Sequence, residues 1–353
     1  MTLTELSYYG RRMMPFFILF VLVIFVFFYA FKLFFLYLQL QQGGVKTAVV
    51  INPVFSKIKG PVLENAITST GLVFELDTIE GQPVTATQSA RVFYLPPTYS
   101  PFKYVQQIYL MAKTVGIDTE IYKHKLDKTL ATFDDGVQKM AIDITNYNFT
   151  YENSLKRLNE DGLFFSSSQV PDQKQIEEKA TNFLSSLGRY PEELIKGRKN
   201  FVYLTYNPEA NELVLAPQNE TTNMVEVDFY REDIDDFPIV SPKYFNSQNY
   251  VIIAFSNEGF RIIKSQVNYF EKSNEQVGIY PIKSGSTAWD ELKAGKGMVV
   301  QSSINKIIKI KKMYLGYLDQ DIYQEYLQPV YVFLGEDNFV AYVSAITQEY
   351  LIE

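Results

Sequence analysis

The chain has 353 residues, no cysteine and a formal net charge of −7. Its length allows a sizeable core and favours a two-domain organisation. The lack of cysteine excludes disulfides, thiol nucleophiles and cysteine-ligated zinc, and the acidic balance argues against nucleic acid, because phosphate binding needs a basic face. Aromatic residues make up 15% of the chain, which indicates that most of it folds.

An apolar stretch near the N-terminus predicts a membrane-spanning helix. Residues 16–38 read FFILFVLVIFVFFYAFKLFFLYL, and a helix over them would span roughly 34 Å, enough for a bilayer core. Lys32 is the one charge within it and can extend toward the interface. A cleaved signal peptide is the alternative. It is disfavoured because the run exceeds a usual signal core and no small-residue cleavage site follows.

The charges beside this stretch predict its orientation. Arg11 and Arg12 stand just before it, and the positive-inside rule keeps such residues in the cytoplasm. We therefore expect a cytoplasmic tail over 1–14, a transmembrane helix over 15–40 that contacts the lipid bilayer through residues 16–38, and an extracytoplasmic remainder.

The next part of the chain predicts a linker and a first α+β domain. Apolar periodicity and turn residues indicate these segments in order: a linker and first extended segment over 41–60, a domain over 61–165, strands in 71–83 and 90–97, a helix over 100–116, and a strand meander between 128 and 152. The polar stretch 166–172 marks a boundary.

A second α+β domain is predicted over 172–275. It opens with a helix over 172–188, in which Asp172 is the N-cap and Gln175 stands three residues on, as in a capping box. Several strands follow, among them a hairpin that turns at 257–259.

The last unit is predicted over 276–353, packed on the second domain. A short helix starts at Ser286 or Thr287 and stops at Gly295 or Gly297. A long strand over 304–318 precedes a closing hairpin over 326–346. One face of the last strand carries small residues, so we expect the helix to approach it closely.

Motifs in this last unit resemble a known family. They lie at 284–292, 315–317, 329–333 and 342–345, with Tyr331 where tryptophan is common and Ser344 where asparagine is usual. They are similar to the last repeat of PepSY-like domains and to the C-terminal part of YycH/YycI-type regulators of bacterial envelope-stress sensor kinases. The resemblance implies an α+β fold, with one N-terminal transmembrane helix followed by tandem PepSY-like units of helix packed on antiparallel sheet. It also implies a membrane-anchored, non-enzymatic regulatory or binding protein.

The sequence offers no clear chemical centre, so no catalytic, cofactor-binding or metal-binding residue and no cofactor is predicted. His124, the only histidine, lies among lysines and is predicted to be solvated. The acidic run at 231–236 lacks the spacing of a calcium loop. It is predicted to be a solvated loop, and so are Asp319 and Asp321.

Tyrosines of the last unit are the predicted partner-binding residues, because tyrosine-rich surfaces suit recognition at low entropic cost. They are Tyr314, Tyr317, Tyr323, Tyr326 and Tyr331. The predicted partner is another envelope or membrane protein, with a sensor kinase as one candidate, and no nucleic acid.

Two alternatives remain open. One is a structural subunit of a secretion or surface assembly, which self-association would favour. The other is a cell-wall glycan hydrolase with dispersed carboxylates, which requires a cleft where two acids converge and at least one has a perturbed pKa.

Overall fold

The computed structural model describes residues 3–41, 51–160, 162, 170–216, 222–257 and 259–352, and in its first helix the side chains of 13, 14 and 16–35. The chain forms two compact units, Met1–Val50 and Ile51–Glu353. Residues 42–50 of the predicted linker and first extended segment, residues 166–169 of the predicted boundary and the central residue of the turn at 257–259 lie outside the described residues.

The described residues of the first unit form one long helix, α1 (Leu3–Gln41). Its segment Phe16–Phe35 has a mean hydropathy of 2.7 and is long and apolar enough to cross a membrane. The predicted apolar helix is therefore confirmed. It begins earlier than predicted, so that most of the 1–14 segment is helical as well.

Five short α-helices lie in the described part of the second unit. They are α2 (Tyr104–Thr114), α3 (Leu155–Glu160), α4 (Gln173–Ser186), α5 (Glu192–Lys196) and α6 (Gly285–Glu291). A π-helical turn (Leu292–Lys296) extends α6, and 3-10 turns cover Glu336–Asn338 and Gln348–Tyr350. Helices α2, α4 and α6 are the three that were predicted. The sequence did not reveal α3 or α5, which are too short to show a helical period.

Local capping chemistry starts two of the predicted helices. The Asp172 carboxylate accepts a hydrogen bond from the Gln175 backbone N–H at 2.9 Å, which confirms the predicted N-cap of α4. Ser284 Oγ accepts from the Thr287 backbone N–H at 3.1 Å, so α6 is capped two residues before the predicted start. Gly295, one of the two predicted stops, has a φ of 83° that favours glycine.

Twenty-one strands are assigned in the described residues of this unit. The first eleven are β1 (Ile58–Lys59), β2 (Ile67–Thr68), β3 (Val73–Leu76), β4 (Ser89–Tyr94), β5 (Lys125–Asp127), β6 (Leu130–Asp134), β7 (Gln138–Asp143), β8 (Phe149–Asn153), β9 (Lys199–Asn207), β10 (Glu212–Leu215) and β11 (Met224–Phe229). The other ten are β12 (Ile239–Val240), β13 (Tyr250–Ser256), β14 (Gly259–Val267), β15 (Val277–Pro281), β16 (Met298–Gln301), β17 (Ile307–Leu318), β18 (Tyr326–Leu327), β19 (Pro329–Gly335), β20 (Val340–Ser344) and β21 (Leu351–Ile352).

Nine strands form one antiparallel sheet in the order β10-β9-β11-β13-β14-β8-β7-β6-β5. Helices α2 and α4 bury their apolar stripes in the core on one of its faces, where Met111 and Leu184 share a cluster with Phe133 and Val227. An amphipathic helix and a sheet with an apolar face bury their apolar surfaces against each other in this way.

The C-terminal sheet runs β12-β17-β19-β20-β16-β2, and β3 adds a parallel pairing to β17. The predicted closing hairpin is present as β19 and β20, which pair from Val330↔Ser344 to Leu334↔Val340. Ala288 of α6 lies in one buried cluster with Ala341 and other residues of β20, as the small-residue face predicted. A mixed α+β fold is thus confirmed.

The predicted domain boundaries do not match the sheets. Strand β8 of the predicted first domain pairs with β14 of the predicted second domain, so both domains share the nine-stranded sheet. Strands β2 and β3, also from 61–165, instead join the C-terminal sheet. Pairing over such long sequence separations leaves no mark on local periodicity, which explains why the sequence suggested separate consecutive units.

Candidate functional site

A three-stranded sheet carries a cluster of aromatic side chains at the surface. Its order is β15-β4-β18, and the pairing of β18 with β4 places Tyr326 opposite Tyr94. The ring of Phe55 lies 5.0 Å from that of Tyr326 and 6.2 Å from that of Tyr94, measured between centroids. We call Phe55, Tyr94, Tyr326, Tyr323 and Tyr99 the aromatic patch.

The two outer members of this patch are the accessible ones. Tyr323 is 40% exposed, and its hydroxyl donates to the carbonyl of Leu95, the residue after β4, at 2.8 Å, which holds the ring beside the end of this strand. Tyr99 is 79% exposed, beyond the end of β4. Partial burial raises the pKa of Tyr323 and Tyr326, and the neighbouring Tyr94 and Glu325 add to the shift, so both phenols stay neutral donors at ordinary pH.

The structure separates the five predicted tyrosines. Tyr323 and Tyr326 lie together in the aromatic patch. Tyr317 and Tyr331 are not exposed at all, and the Tyr331 hydroxyl donates to the Lys283 carbonyl at 2.8 Å inside the core. Both faces are covered along β19 up to Phe333 and at the C-terminal end of β17, so those two rings pack internally and cannot meet a partner at the surface. The partner-binding prediction therefore stays open only for the other tyrosines.

Tyr314, the remaining one, lines a separate cleft of about 610 Å³. Its hydroxyl donates to the Tyr244 hydroxyl at 3.0 Å, and the Lys312 ammonium lies 5.2 Å from the centroid of its ring. Arg198 and Tyr230 line the same cleft, and the Arg198 guanidinium lies 4.1 Å from the centroid of the Tyr230 ring. The cleft therefore combines aromatic faces with cations.

A buried ionic network connects the nine-stranded sheet to the C-terminal sheet. Arg231, two residues after the end of β11, is 1% exposed. Its guanidinium contacts Glu193 of α5 at 2.7 Å and Asp319, just after β17, at 3.2 Å. Lys272 bonds the other oxygen of Glu193, and the Tyr269 ring centroid lies 4.6 Å from the Arg231 guanidinium carbon.

The acids of this network differ in their pKa. Burial opposes ionisation of Glu193, but Arg231 and Lys272 together outweigh it and lower the pKa of that carboxyl. Burial raises the pKa of Asp319 in spite of Arg231. The network requires that the end of α5 packs closely against the backbone of Tyr230. A Cβ on Gly197, the residue after α5, would lie 1.8 Å from the Tyr230 carbonyl oxygen, so only glycine fits there.

Three predictions about polar residues need correction here. Asp319 was predicted to be solvated, but it is buried because the ladder of β17 ends inside the packed interface. In the 231–236 run the solvated prediction fails for Arg231 and Ile234, whereas the acids are exposed. His124 is half-buried, with its ring 5.5 Å from that of Tyr109, because a helix packs over its segment. Of these three departures, only the burial of Arg231 had a signal in the sequence, namely the largely apolar strand that ends two residues before it.

The other face of the nine-stranded sheet holds a polar groove that sequence reasoning missed. It has two adjoining compartments of about 510 and 390 Å³, which share Lys243, Asn246, Ser247 and Tyr250. Glu226 of β11 lines the first compartment. Alternation along β11 explains the placement, since Val225 and Val227 face the helices while Glu226 faces away.

Glu226 and Asp228 form a hydrogen-bonded carboxyl pair at this groove. Asp228 is not exposed, and it accepts hydrogen bonds from the Ser247 backbone N–H at 2.9 Å and from Asn200 at 3.4 Å. Burial, reinforced by the charge of Glu226, raises the pKa of Asp228 to about 7. Burial likewise raises the pKa of Glu226. The two groups therefore share a proton near neutral pH.

This geometry does not suit the predicted hydrolase alternative. Glycosidase carboxyls stand about 5–9.5 Å apart so that a sugar bond or a water fits between them. Here the two carboxyls contact each other, and the inner one is inaccessible. The pair therefore meets the expectation of converging acids with a perturbed pKa, but not the spacing that the hydrolysis needs.

The chain was compared with known proteins at three levels. No protein-family model matches it, and no curated protein does. Solved structures similar to it include an uncharacterized protein from Eubacterium rectale (16% identity, 78% of this chain and 89% of that chain, TM-score 0.39). Another is YycH from Bacillus subtilis (10% identity, 76% of this chain and 57% of that chain, TM-score 0.33). A third is the YpeB C-terminal domain from Bacillus megaterium (14% identity, 71% of this chain and 95% of that chain, TM-score 0.27). None of these matches assigns the chain to a family.

Proposed function

We propose that this chain is a membrane-anchored, non-enzymatic regulatory or binding protein that contacts another membrane or envelope protein through the aromatic patch. The observation that carries the proposal is the patch itself, in which Tyr323 and Tyr99 are exposed in loops beside the three-stranded sheet and the Tyr323 hydroxyl is bonded to the Leu95 carbonyl. Aromatic side chains on a rigid support are typical of the energetically dominant residues at protein interfaces.

The N-terminal helix supports this proposal through its effect on local concentration. A helix of this length and apolarity confines the chain to the plane of a membrane. Confinement raises its effective concentration toward other membrane proteins, so a modest patch can suffice for binding. Arg11 and Arg12, before the apolar segment, support an extracytoplasmic position for the Ile51–Glu353 unit. A sensor kinase is one partner that the C-terminal motifs suggest.

The proposal predicts that two exposed rings carry partner binding. In the full-length chain, the double substitution Tyr99→Ser and Tyr323→Ser should lower recovery of one crosslinked partner at least about tenfold, because interface tyrosines are frequent hot spots. The measurement is crosslinking in intact cells that make the protein, followed by affinity capture and quantitative mass spectrometry.

A matched control is available on the same unit. Phe260 is 46% exposed on β14, outside the aromatic patch, so Phe260→Ser changes an accessible ring of similar size. Deletion of residues 1–41 should also abolish capture if the tether matters. Equal capture by the tyrosine variant and the wild type would contradict the proposal, and recovery of only the chain itself would favour the assembly-subunit alternative.

A further inference from the structure

The polar groove contains buried hydrogen-bonding atoms that the fold does not satisfy. Asn153 and Gln248 line its two compartments and are 5% and 8% exposed. Among the described residues, Asn153 Oδ1 and Gln248 Oε1 have no hydrogen-bond partner. An unpaired buried acceptor is costly, and a ligand donor is one way of satisfying it.

Charges of both signs line the groove, so the lining as a whole favours neither a strongly cationic nor a strongly anionic ligand. Lys243 and Lys264 would repel a cation, and Glu152, Glu212 and Glu226 would repel an anion. Donors and acceptors stand side by side instead, which suits groups that donate and accept at once. Hydroxyl groups are of this kind.

The floor of the first compartment supplies apolar contact. Leu155 and Leu213 line it and are half-buried, and the half-buried Tyr250 stands between the two compartments. Carbon–hydrogen faces of a sugar ring fit such a floor. An extended peptide fits less well, because its backbone needs free main-chain partners, and strands β11, β13 and β14 are paired on both sides.

From these observations we infer that the groove is a binding site for a neutral saccharide, with Glu226, Asn246 and Lys243 bonding its hydroxyl groups and Tyr250 contacting its ring. The size agrees with this ligand class, since small-molecule sites typically occupy about 300–1,000 Å³. The inner carboxyl Asp228 holds Glu226 in place and does not itself contact the ligand.

The test uses the full-length chain in lipid nanodiscs, because sugar-based detergents would compete. The probes are cellotriose, maltotriose, mannotriose and tri-N-acetylchitotriose, screened by saturation-transfer NMR and measured by calorimetry up to about 1 mM. At least one should bind. Asn246→Ala and Lys243→Gln should each weaken that binding about tenfold, whereas Lys57→Gln, an exposed lysine outside the groove, should not.

Three outcomes would overturn the inference. One is that none of the four saccharides binds. Another is that binding is unchanged in both groove variants while their unfolding curves match the wild type. The third is that tri-serine, a neutral peptide probe, binds in the groove more tightly than every saccharide. The groove variants leave the aromatic patch unchanged. A failure of the saccharide inference can therefore be distinguished from a failure of the partner proposal.

Discussion

Replacing Arg231 with methionine is expected to lower the free energy of unfolding of the Ile51–Glu353 unit by about 3–5 kcal/mol. The guanidinium is buried and bonds both Glu193 and Asp319. Its removal leaves Asp319 without a cation in a site that is 4% exposed, and desolvation then outweighs any gain from methionine packing. Urea denaturation of the full-length chain in micelles, followed by the fluorescence of Trp289, the only tryptophan, measures the loss.

A surface arginine provides the matched control. Arg91 makes two bonds of 2.7 and 2.6 Å to Asp235, so its geometry is at least as good as that of Arg231, but both side chains are over 40% exposed. Arg91→Met should cost at most about 1 kcal/mol, because water screens exposed pairs. Similar losses in the two variants would contradict the role given to the buried network.

The pH dependence of the Arg231 variant follows from the same geometry. Without the cation, the pKa of Asp319 in the folded state should rise further above its unfolded value, and the lowered pKa of Glu193 should rise as well. An acid with a raised folded pKa contributes stability below its unfolded pKa and loses it as pH rises. The deficit against wild type should therefore be smaller at about pH 4.5 than at pH 7. Asp319→Asn in the Arg231→Met background should recover part of the loss near neutral pH.

Local features of the fold were predictable because their causes lie within a few residues. The Asp172 cap needs only the N–H of Gln175, and the closing hairpin needs only alternation around a polar turn. The parallel pairing of β3 with β17 has no such local cause. It joins Val73 to Ile307, and short apolar runs such as β3 do not specify their partners.

The same reason limits what the sequence says about sites. Tyr331 and Tyr323 look alike in a sequence rich in tyrosine. Tyr331, however, lies on β19 where both faces are covered, whereas Tyr323 lies in the loop between β17 and β18. Period-two alternation cannot distinguish a strand buried on both faces from one with a solvent face when apolar residues occupy both. The polar groove was missed because its residues come from seven strands, helix α3 and several loops, and Glu226 by itself looks like any acid on a strand.

Replacing Asp228 with asparagine is expected to stabilise the protein at neutral and alkaline pH. The folded pKa of about 7 stands above the ordinary 3.8, so the folded state binds the proton more tightly than the unfolded state does. This group therefore favours folding below about pH 4, and that contribution is lost as pH rises toward 7. Asparagine mimics the protonated acid, because its N–H can donate to Glu226 while its oxygen accepts from Ser247.

At pH 8 the Asp228→Asn variant should exceed the wild type by about 2 kcal/mol, less than the full shift implies because Glu226 holds part of the proton. At pH 4 the two should be nearly equal, so the difference between their unfolding free energies should grow across this window. Glu226→Gln is the matched comparison, and its gain should be smaller because Glu226 is less buried than Asp228. A constant offset from pH 4 to 8, or a loss for Asp228→Asn at pH 8, would mean that the inner carboxyl is ionised in the native protein and that the proton-sharing pair does not form.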